Sequence, residues 1–277
     1  MKIASIPANS DEATDSQSCE LAHPFESDDI SDLKNKDPYC YGWREILRTL
    51  PDGTEIYERV PLTLEDLLHP EVGDFRMHTE EHERFCAYLY YVLRAQVADE
   101  PTAIVLHDLR VAWAHPGFRA HGPDISVIFN VQQWQNWGTF DEAVEGTKPS
   151  LIIEITSPGT YSVDLEKKVD HYAQVGVELY VIVDIAIRRD MPQKRVLGYR
   201  LGPDGYEQLA PNADGWLWLA PVNLWLGWHG EDIACYDTNG NFIEDYTAVT
   251  VARVEAEERI RELEEDLRRL QGNQTDE

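Results

Sequence analysis

An α/β fold, a central mixed β-sheet flanked by helices, is what this sequence of 277 residues predicts, and three observations carry it. Residues 124–131 and 150–156 are short runs rich in β-branched side chains, bounded by turn residues (His121-Gly122-Pro123 before one, Lys148-Pro149 and Ser157-Pro158-Gly159 around the other) as buried strands are. After Thr160 the period becomes helical through Val163, Lys167, Val169, Tyr172, Ala173 and Val175, with Gly176 as a stop. The chain then returns to an apolar run, Leu179-Tyr180-Val181-Ile182-Val183-Asp184. Strand, helix and strand in so short a span make a βαβ-like crossover, which places Glu154 and the start of the helix at one sheet edge.

The remaining elements follow in order. Residues 1–36 are rich in Ser, Asp, Glu and Asn and poor in large apolar residues, which predicts a disordered acidic tail. Residues 37–247 form the main domain. Within it, Pro51-Asp52-Gly53-Thr54 is a turn between two short runs, either a hairpin or a helix and strand, and Thr63 is an N-cap for a short helix over 64–68. Glu80 to Val97 is the clearest long helix, with an apolar stripe of Phe85, Leu89, Val92 and Leu93, ended by Asp99-Glu100-Pro101. Strands are expected at 103–106, 110–114, 179–187, 196–201 and 206–209, the last two joined by Gly202-Pro203-Asp204-Gly205. Trp216, Trp218, Trp225 and Trp228 lack interleaved Lys or Arg and are read as core and sheet-edge packing, while residues 230–246 read as a terminal hairpin. Residues 248–277 form a C-terminal helix in which Ala256, Ile260, Leu263, Leu267 and Leu270 repeat at heptad spacing, either a coiled coil supporting a homodimer or a helix resting on its own domain.

Composition bounds the function. With 43% apolar residues the chain can bury a sizeable core. No run is long enough to span a membrane and no signal pattern opens the chain, so a cytoplasmic protein is expected. The four cysteines are scattered without a C-x-x-C pair, which argues against a zinc knuckle or disulfide framework. The net charge of −27 opposes long-range attraction to polyanions. The two tails, 1–37 and 255–277, account for −6 and −5 of it, leaving −16 on the body. Arg188-Arg189, Lys194-Arg195 and Arg200 form either a local basic patch or an ordinary hairpin surface.

Chemistry concentrates in three residues. Asp124 opens one strand, Glu154 lies inside Leu-Ile-Ile-Glu-Ile-Thr on another, and Lys168 lies on the helix that follows. A carboxylate in so apolar a run is costly unless it faces a cleft, a metal or a partner charge; the alternative for Glu154 is a wet sheet face. Two carboxylates on adjacent strands can share a divalent cation, and a nearby ammonium can stabilise charge on a phosphate, the parts of a metal-dependent nuclease. Asp164, Lys168 and Tyr172 fall on one side of the helix, where Asp164 and Lys168 could equally be a solvated ion pair.

In sequence order, Gly122-Pro123-Asp124-Ile125-Ser126-Val127-Ile128, Pro149-Ser150-Leu151-Ile152-Ile153-Glu154-Ile155-Thr156-Ser157-Pro158, the Asp164, Lys168, Tyr172, Gly176-Val177 pattern and Tyr180 to Asp184 resemble the Uma family of "putative restriction endonucleases", within the PD-(D/E)XK nuclease-like superfamily. The resemblance runs from Pro61 to Asp245. It implies a restriction-endonuclease-like sheet and hydrolysis of phosphodiester bonds in nucleic acid, DNA foremost, with Mg2+ or Mn2+. It further implies that Asp124 and Glu154 are metal-binding acids, that the backbone carbonyl of Ile155 is a further ligand, and that Lys168 is the catalytic ammonium. The superfamily's usual Lys, two residues after the second acid, is Thr156 here; the family supplies the ammonium from the next helix, where Lys167 adjoins Lys168.

Two other functions compete. His78-Thr79-Glu80-Glu81-His82 has the H-x-x-E-H order of inverted zinc peptidases, with His78 and His82 as ligands, Glu81 as base and Glu154 available as a distant ligand. Alternatively, the acidic surface, Thr156 and the coiled-coil tail suit a catalytically silent nuclease-fold binding or scaffold protein.

Overall fold

The computed structural model describes residues 37–156, 163–185 and 194–274. The predicted acidic tail, the Ser157-Pro158-Gly159-Thr160 turn and the Arg188-Arg189 pair lie outside the described residues.

The chain begins with a hairpin, β1 (Gly42–Thr49) and β2 (Glu55–Pro61), turning at Pro51-Asp52-Gly53-Thr54, with β3 (Asp74–Arg76) on the free edge of β1. Between β2 and β3 lies α1 (Leu64–Leu68). Its start is fixed by a reciprocal cap: Thr63 Oγ1 accepts from the Asp66 N–H at 3.2 Å, and Asp66 Oδ2 accepts from the Thr63 N–H at 2.8 Å. Helix α2 (Glu80–Gln96) starts at Thr79, whose hydroxyl accepts from the His82 N–H, and the acids Glu80, Glu81 and Glu83 in its first turn complement the helix dipole.

The next elements are β4 (Ile104–His107), β5 (Arg110–Ala112), β6 (Ile125–Ile128), β7 (Thr139–Asp141), α3 (Glu142–Glu145) and β8 (Pro149–Ile155). A π-helical turn, Val163–Lys167, leads into α4 (Lys168–Gln174), followed by β9 (Leu179–Asp184), β10 (Arg195–Gly202) and β11 (Gly205–Leu209). Six strands form the central sheet in the order β11-β10-β9-β8-β6-β4. The β8–β9 pair is parallel because α4 carries the chain across, and the other neighbours are antiparallel, so the sheet is mixed as predicted.

Both faces of the sheet are covered, and side-chain alternation sorts them. Ile125, Val127, Leu151, Ile153, Ile155, Val181 and Val183 pack with Phe85, Leu89 and Leu93 of α2. Ile152, Tyr180 and Ile182 pack with Tyr172 and Val175 on the opposite face. Each buried aliphatic side chain of this kind contributes roughly 1.5–3 kcal/mol, and truncating Leu89 to Ala should cost about 2–5 kcal/mol.

Two expectations need adjustment. Of the strand predicted over 124–131, only Ile125 to Ile128 is regular strand, because its pairing with β8 shifts between Val127 and Ile128 and Asn130 takes a left-handed φ of 62°. The predicted terminal hairpin 230–246 is displaced. Strand β13 (Leu224–His229) pairs with β12 (Leu217–Leu219) on one side and β14 (Asp232–Tyr236) on the other, turning at Gly230 with φ 64°. Residues beyond β14 turn back over 237–241 through a bridge between Tyr236 and Phe242, flanked by the Asp237 N–H to Asn241 and Ile243 N–H to Cys235 backbone bonds at 2.9 Å, without forming a second full strand. Burial explains the outcome, since Leu217, Leu219, Leu224, Leu226, Ile233 and Cys235 all belong to the α2-side core. Trp216 stacks on Tyr236 with centroids 3.8 Å apart.

Helix α5 (Tyr246–Gln274) ends the described chain. Ile260, Leu263 and Leu267 are exposed on it. Among the described residues no helix is long and apolar enough to cross a membrane.

Candidate functional site

Strand register places the two acids. Ile125 of β6 lies opposite Ile153 of β8 in an antiparallel pair, so the next step along brings Asp124 to the level of Glu154. The Gly122-Pro123 lead-in is tight: a Cβ on Gly122 would approach Pro70 Cγ to 2.8 Å, which reserves the position for glycine. The predicted site residues Asp124, Glu154 and Lys168 are all less than a tenth exposed, so their charges must be balanced from within the protein.

Asp124 Oδ2 accepts two hydrogen bonds, from the Ile155 N–H at 2.8 Å and from His82 Nε2 at 3.2 Å. Glu154 Oε1 accepts from the Tyr172 hydroxyl at 2.8 Å and meets Lys168 Nζ at 2.9 Å. Lys168 Nζ also reaches Asp164 Oδ1 at 2.8 Å. The Asp164–Lys168 pair is therefore buried, not solvated, and the side of the helix carrying Asp164, Lys168 and Tyr172 faces Glu154. Lys167, by contrast, is exposed, with its nearest acid Glu65 at 3.9 Å. Geometry thus separates the two lysines that sequence could not.

The electrostatics are lopsided. Burial pushes the Glu154 carboxyl up to about 8, reinforced by the charges of Asp124 and Asp164 and opposed by Lys168. Burial also penalises the Asp124 anion, but the His82 hydrogen bond and charge, Lys168 and the Ile155 N–H outweigh it and hold Asp124 well below the usual carboxylate range. Burial lowers and the surrounding acids raise Lys168, and the acids win, so it stays an ammonium. For His82, burial is likewise overcome by Asp124, and its basicity rises. Among the described residues, Asp124, Glu154 and Asp164 thus gather around Lys168 and His82, and the proton that burial keeps on Glu154 is one that a divalent cation bound there would displace.

Beside this cluster, Thr156, in the position of the superfamily's usual Lys, donates its hydroxyl to Asp184 Oδ1 at 2.9 Å and accepts from the Ile185 N–H at 3.1 Å. Arg195 Nε meets Asp184 Oδ2 at 3.0 Å. A hydroxyl tied into this network cannot stand in for an ammonium.

Of the H-x-x-E-H residues, His78 and His82 do come together, stacked with centroids 4.3 Å apart and each with a ring nitrogen within 4.8 Å of a Glu83 carboxylate oxygen, whereas the Glu81 carboxylate, the expected base, is held by Lys194 at 2.8 Å and His82 also meets Asp124. Burial beside His82 drives the His78 imidazole down to about 4.

Three pairings could not be read from the sequence: Tyr172 with Glu154, His82 with Asp124 and Thr156 with Asp184. Tyr172 was visible on the right helical face, but its hydroxyl's target was not. His82, read from the sequence as a zinc ligand, proves to be the partner of Asp124. Nothing in the sequence signalled that Asp184 and Thr156 would meet.

None of the curated proteins matches the chain. Among solved structures, "a putative nuclease belonging to DUF820" from Anabaena variabilis ATCC 29413 is similar at 22% identity with a TM-score of 0.39, covering 55% of this chain and 87% of that one. The model of the Uma2 family, described as "Putative restriction endonuclease", matches residues 74–229, more than half of the chain and the whole stretch that holds Asp124, Glu154 and Lys168. By that match the chain belongs to the Uma2 family.

Proposed function

We propose that the protein is a metal-dependent endonuclease that hydrolyses phosphodiester bonds of nucleic acid, DNA foremost, with Asp124, Glu154 and Lys168 as its catalytic residues. The observation that carries this is the buried convergence of two strand carboxylates and one helical ammonium. The residues fit a hard divalent cation: both side chains offer oxygen, and the hydrogen bonds above fall on Asp124 Oδ2 and Glu154 Oε1. Asp124, Glu154 and the Ile155 carbonyl would hold Mg2+ or Mn2+. When bound, the ion supplies Lewis-acid polarisation of the phosphate and a water of lowered pKa. Lys168, anchored by Asp164 and Glu154, would orient an attacking water and offset negative charge on the phosphate in the transition state. Tyr172 holds the Glu154 carboxylate in place, and His82 does the same for Asp124.

Membership of the family and the nuclease-like geometry both support this reading. The exposed seam of Ile260, Leu263 and Leu267 supports a homodimer joined through α5. Among the described residues, the buried Cys86 and Cys235 carry reduced thiols, which suits a reducing cytoplasm.

The test is plasmid nicking by purified protein. Nicking should require Mg2+ or Mn2+, stop with chelator, and fall on the order of 10²-fold or more in Asp124→Ala and Glu154→Ala. Cleavage that needs no metal and survives both substitutions would remove the proposal.

A further inference from the structure

A second cluster lies behind the acid pair. His69, at the end of α1, His121, just before Gly122-Pro123-Asp124, and His171, on α4 between Lys168 and Tyr172, bring one ring nitrogen each to within 4.8 Å of the others. Three close imidazoles suggest a transition-metal site, but their neighbours dictate where the protons sit. Trp113 Nε1 can only donate, and it lies 2.7 Å from His121 Nδ1, so that nitrogen carries the lone pair and the neutral ring bears its proton on Nε2. His121 Nε2 is 3.0 Å from His171 Nδ1 and donates to it. On His69 the proton is on Nδ1, because the atom 3.1 Å away is the Ala120 carbonyl oxygen, which only accepts.

A metal ion on His121 Nε2 would need the opposite tautomer, setting an Nδ1–H against the Trp113 N–H at 2.7 Å. The cluster is therefore a chain of hydrogen bonds in one direction, Trp113 to His121 to His171. Burial, with the charges of His69, Lys168 and His171, keeps His121 neutral, as the chain requires. Its backbone is fixed as well: His121 N–H donates to the Val111 carbonyl at 3.0 Å, and Val111 N–H to the His121 carbonyl at 2.8 Å.

We propose that His121 is a positioning residue: through its hydrogen bond to His171 it locks helix α4, with Lys168 and Tyr172, to the segment that presents Asp124. The inference deepens the nuclease reading and rests on it for its kinetic consequence. Tyr172 is packed into the same assembly, its ring 5.3 Å from His121 and 5.9 Å from Trp113, so the helix that addresses Glu154 is steadied at this point.

Two measurements on the full-length protein test it. Long-range 1H–15N spectra of the histidine rings should show His121 as the Nε2–H tautomer and His69 as the Nδ1–H tautomer. His121 protonated on Nδ1, or Zn2+ at stoichiometric concentration shifting all three rings together, would overturn the proposal in favour of a metal site. In plasmid nicking, His171→Ala should lower kcat about tenfold with KM changed less than about twofold. His171→Asn, whose side-chain oxygen can replace the lost acceptor, should recover most of that loss. If neither variant differs from wild type, or both lose equally, the positioning role is wrong. A wild-type protein that does not nick with Mg2+ or Mn2+ counts against the nuclease reading, and the tautomer spectra then decide the hydrogen-bond chain by themselves.

Discussion

The N–H of Ile155 donates to Asp124 Oδ2 at 2.8 Å, so the residue after one candidate acid is the hydrogen-bond partner of the other. Pairing between β6 and β8 ends at Ile125 and Ile153, and Asp124 uses its side chain, in place of its backbone, to continue the ladder one step further. The two carboxylates are thereby registered to each other through main chain, which flexes far less than a side-chain contact would.

Lys168, and not Lys167, should matter for turnover. Lys168→Ala removes the ammonium shared by Glu154 and Asp164 and should lower nicking on the order of 10²-fold. Lys167 is exposed, and Lys167→Ala should leave both activity and Tm near wild type. Equal losses in the two variants, read from initial nicking rates, would mean the helix is rotated from the geometry described.

Metal-free stability should depend on Glu154. Its carboxyl is raised from an ordinary 4.5 to about 8 in the folded protein, so between those values the folded state holds a proton that the unfolded chain has released. Stability therefore falls as pH rises from 4.5 towards 8. Glu154→Gln should remove that slope and be more stable than wild type at pH 8 by roughly 1–3 kcal/mol in EDTA. The comparison is a series of thermal melts of both proteins from pH 5 to 8; parallel curves would show that Glu154 carries no such strain. Mg2+ should raise the wild-type Tm more at pH 8 than at pH 5.

Tyr172→Phe isolates one hydrogen bond. Losing the hydroxyl that donates to Glu154 should cost about 1–2 kcal/mol in stability and about 10- to 100-fold in nicking rate. An unaltered rate would assign Tyr172 to packing alone.

The C-terminal seam should control assembly and not chemistry. Leu263→Ser with Leu267→Ser places two hydroxyls where the heptad repeat needs apolar contacts. Sedimentation should then show half the wild-type mass, with nicking per chain within about twofold. A wild-type protein that already sediments as a monomer would contradict the paired helix.

Much of this molecule could be read directly from its residues. β-Branched runs bounded by Pro and Gly predicted β8 and β9, helical spacing from Glu80 predicted α2, and Thr63 predicted the start of α1. These are local matters: side-chain shape, turn chemistry and period act over a few residues. Asp124, Glu154 and Lys168 were legible as candidates because charged groups in or beside apolar strands are costly enough to be conspicuous.

Distance in sequence hid the rest. Whether Lys167 or Lys168 turns inward depends on how α4 sits on the sheet, and whether Glu154 faces solvent or Tyr172 depends on which face that helix covers. His82 meets Asp124 across 42 positions, and His121 meets His171 across 50. Sequence alone thus determined the elements and the chemically expensive residues. Tertiary packing decided which of those residues meet, because hydrogen bonds and ion pairs need ångström-scale placement that only the assembled sheet and its two covering helices provide.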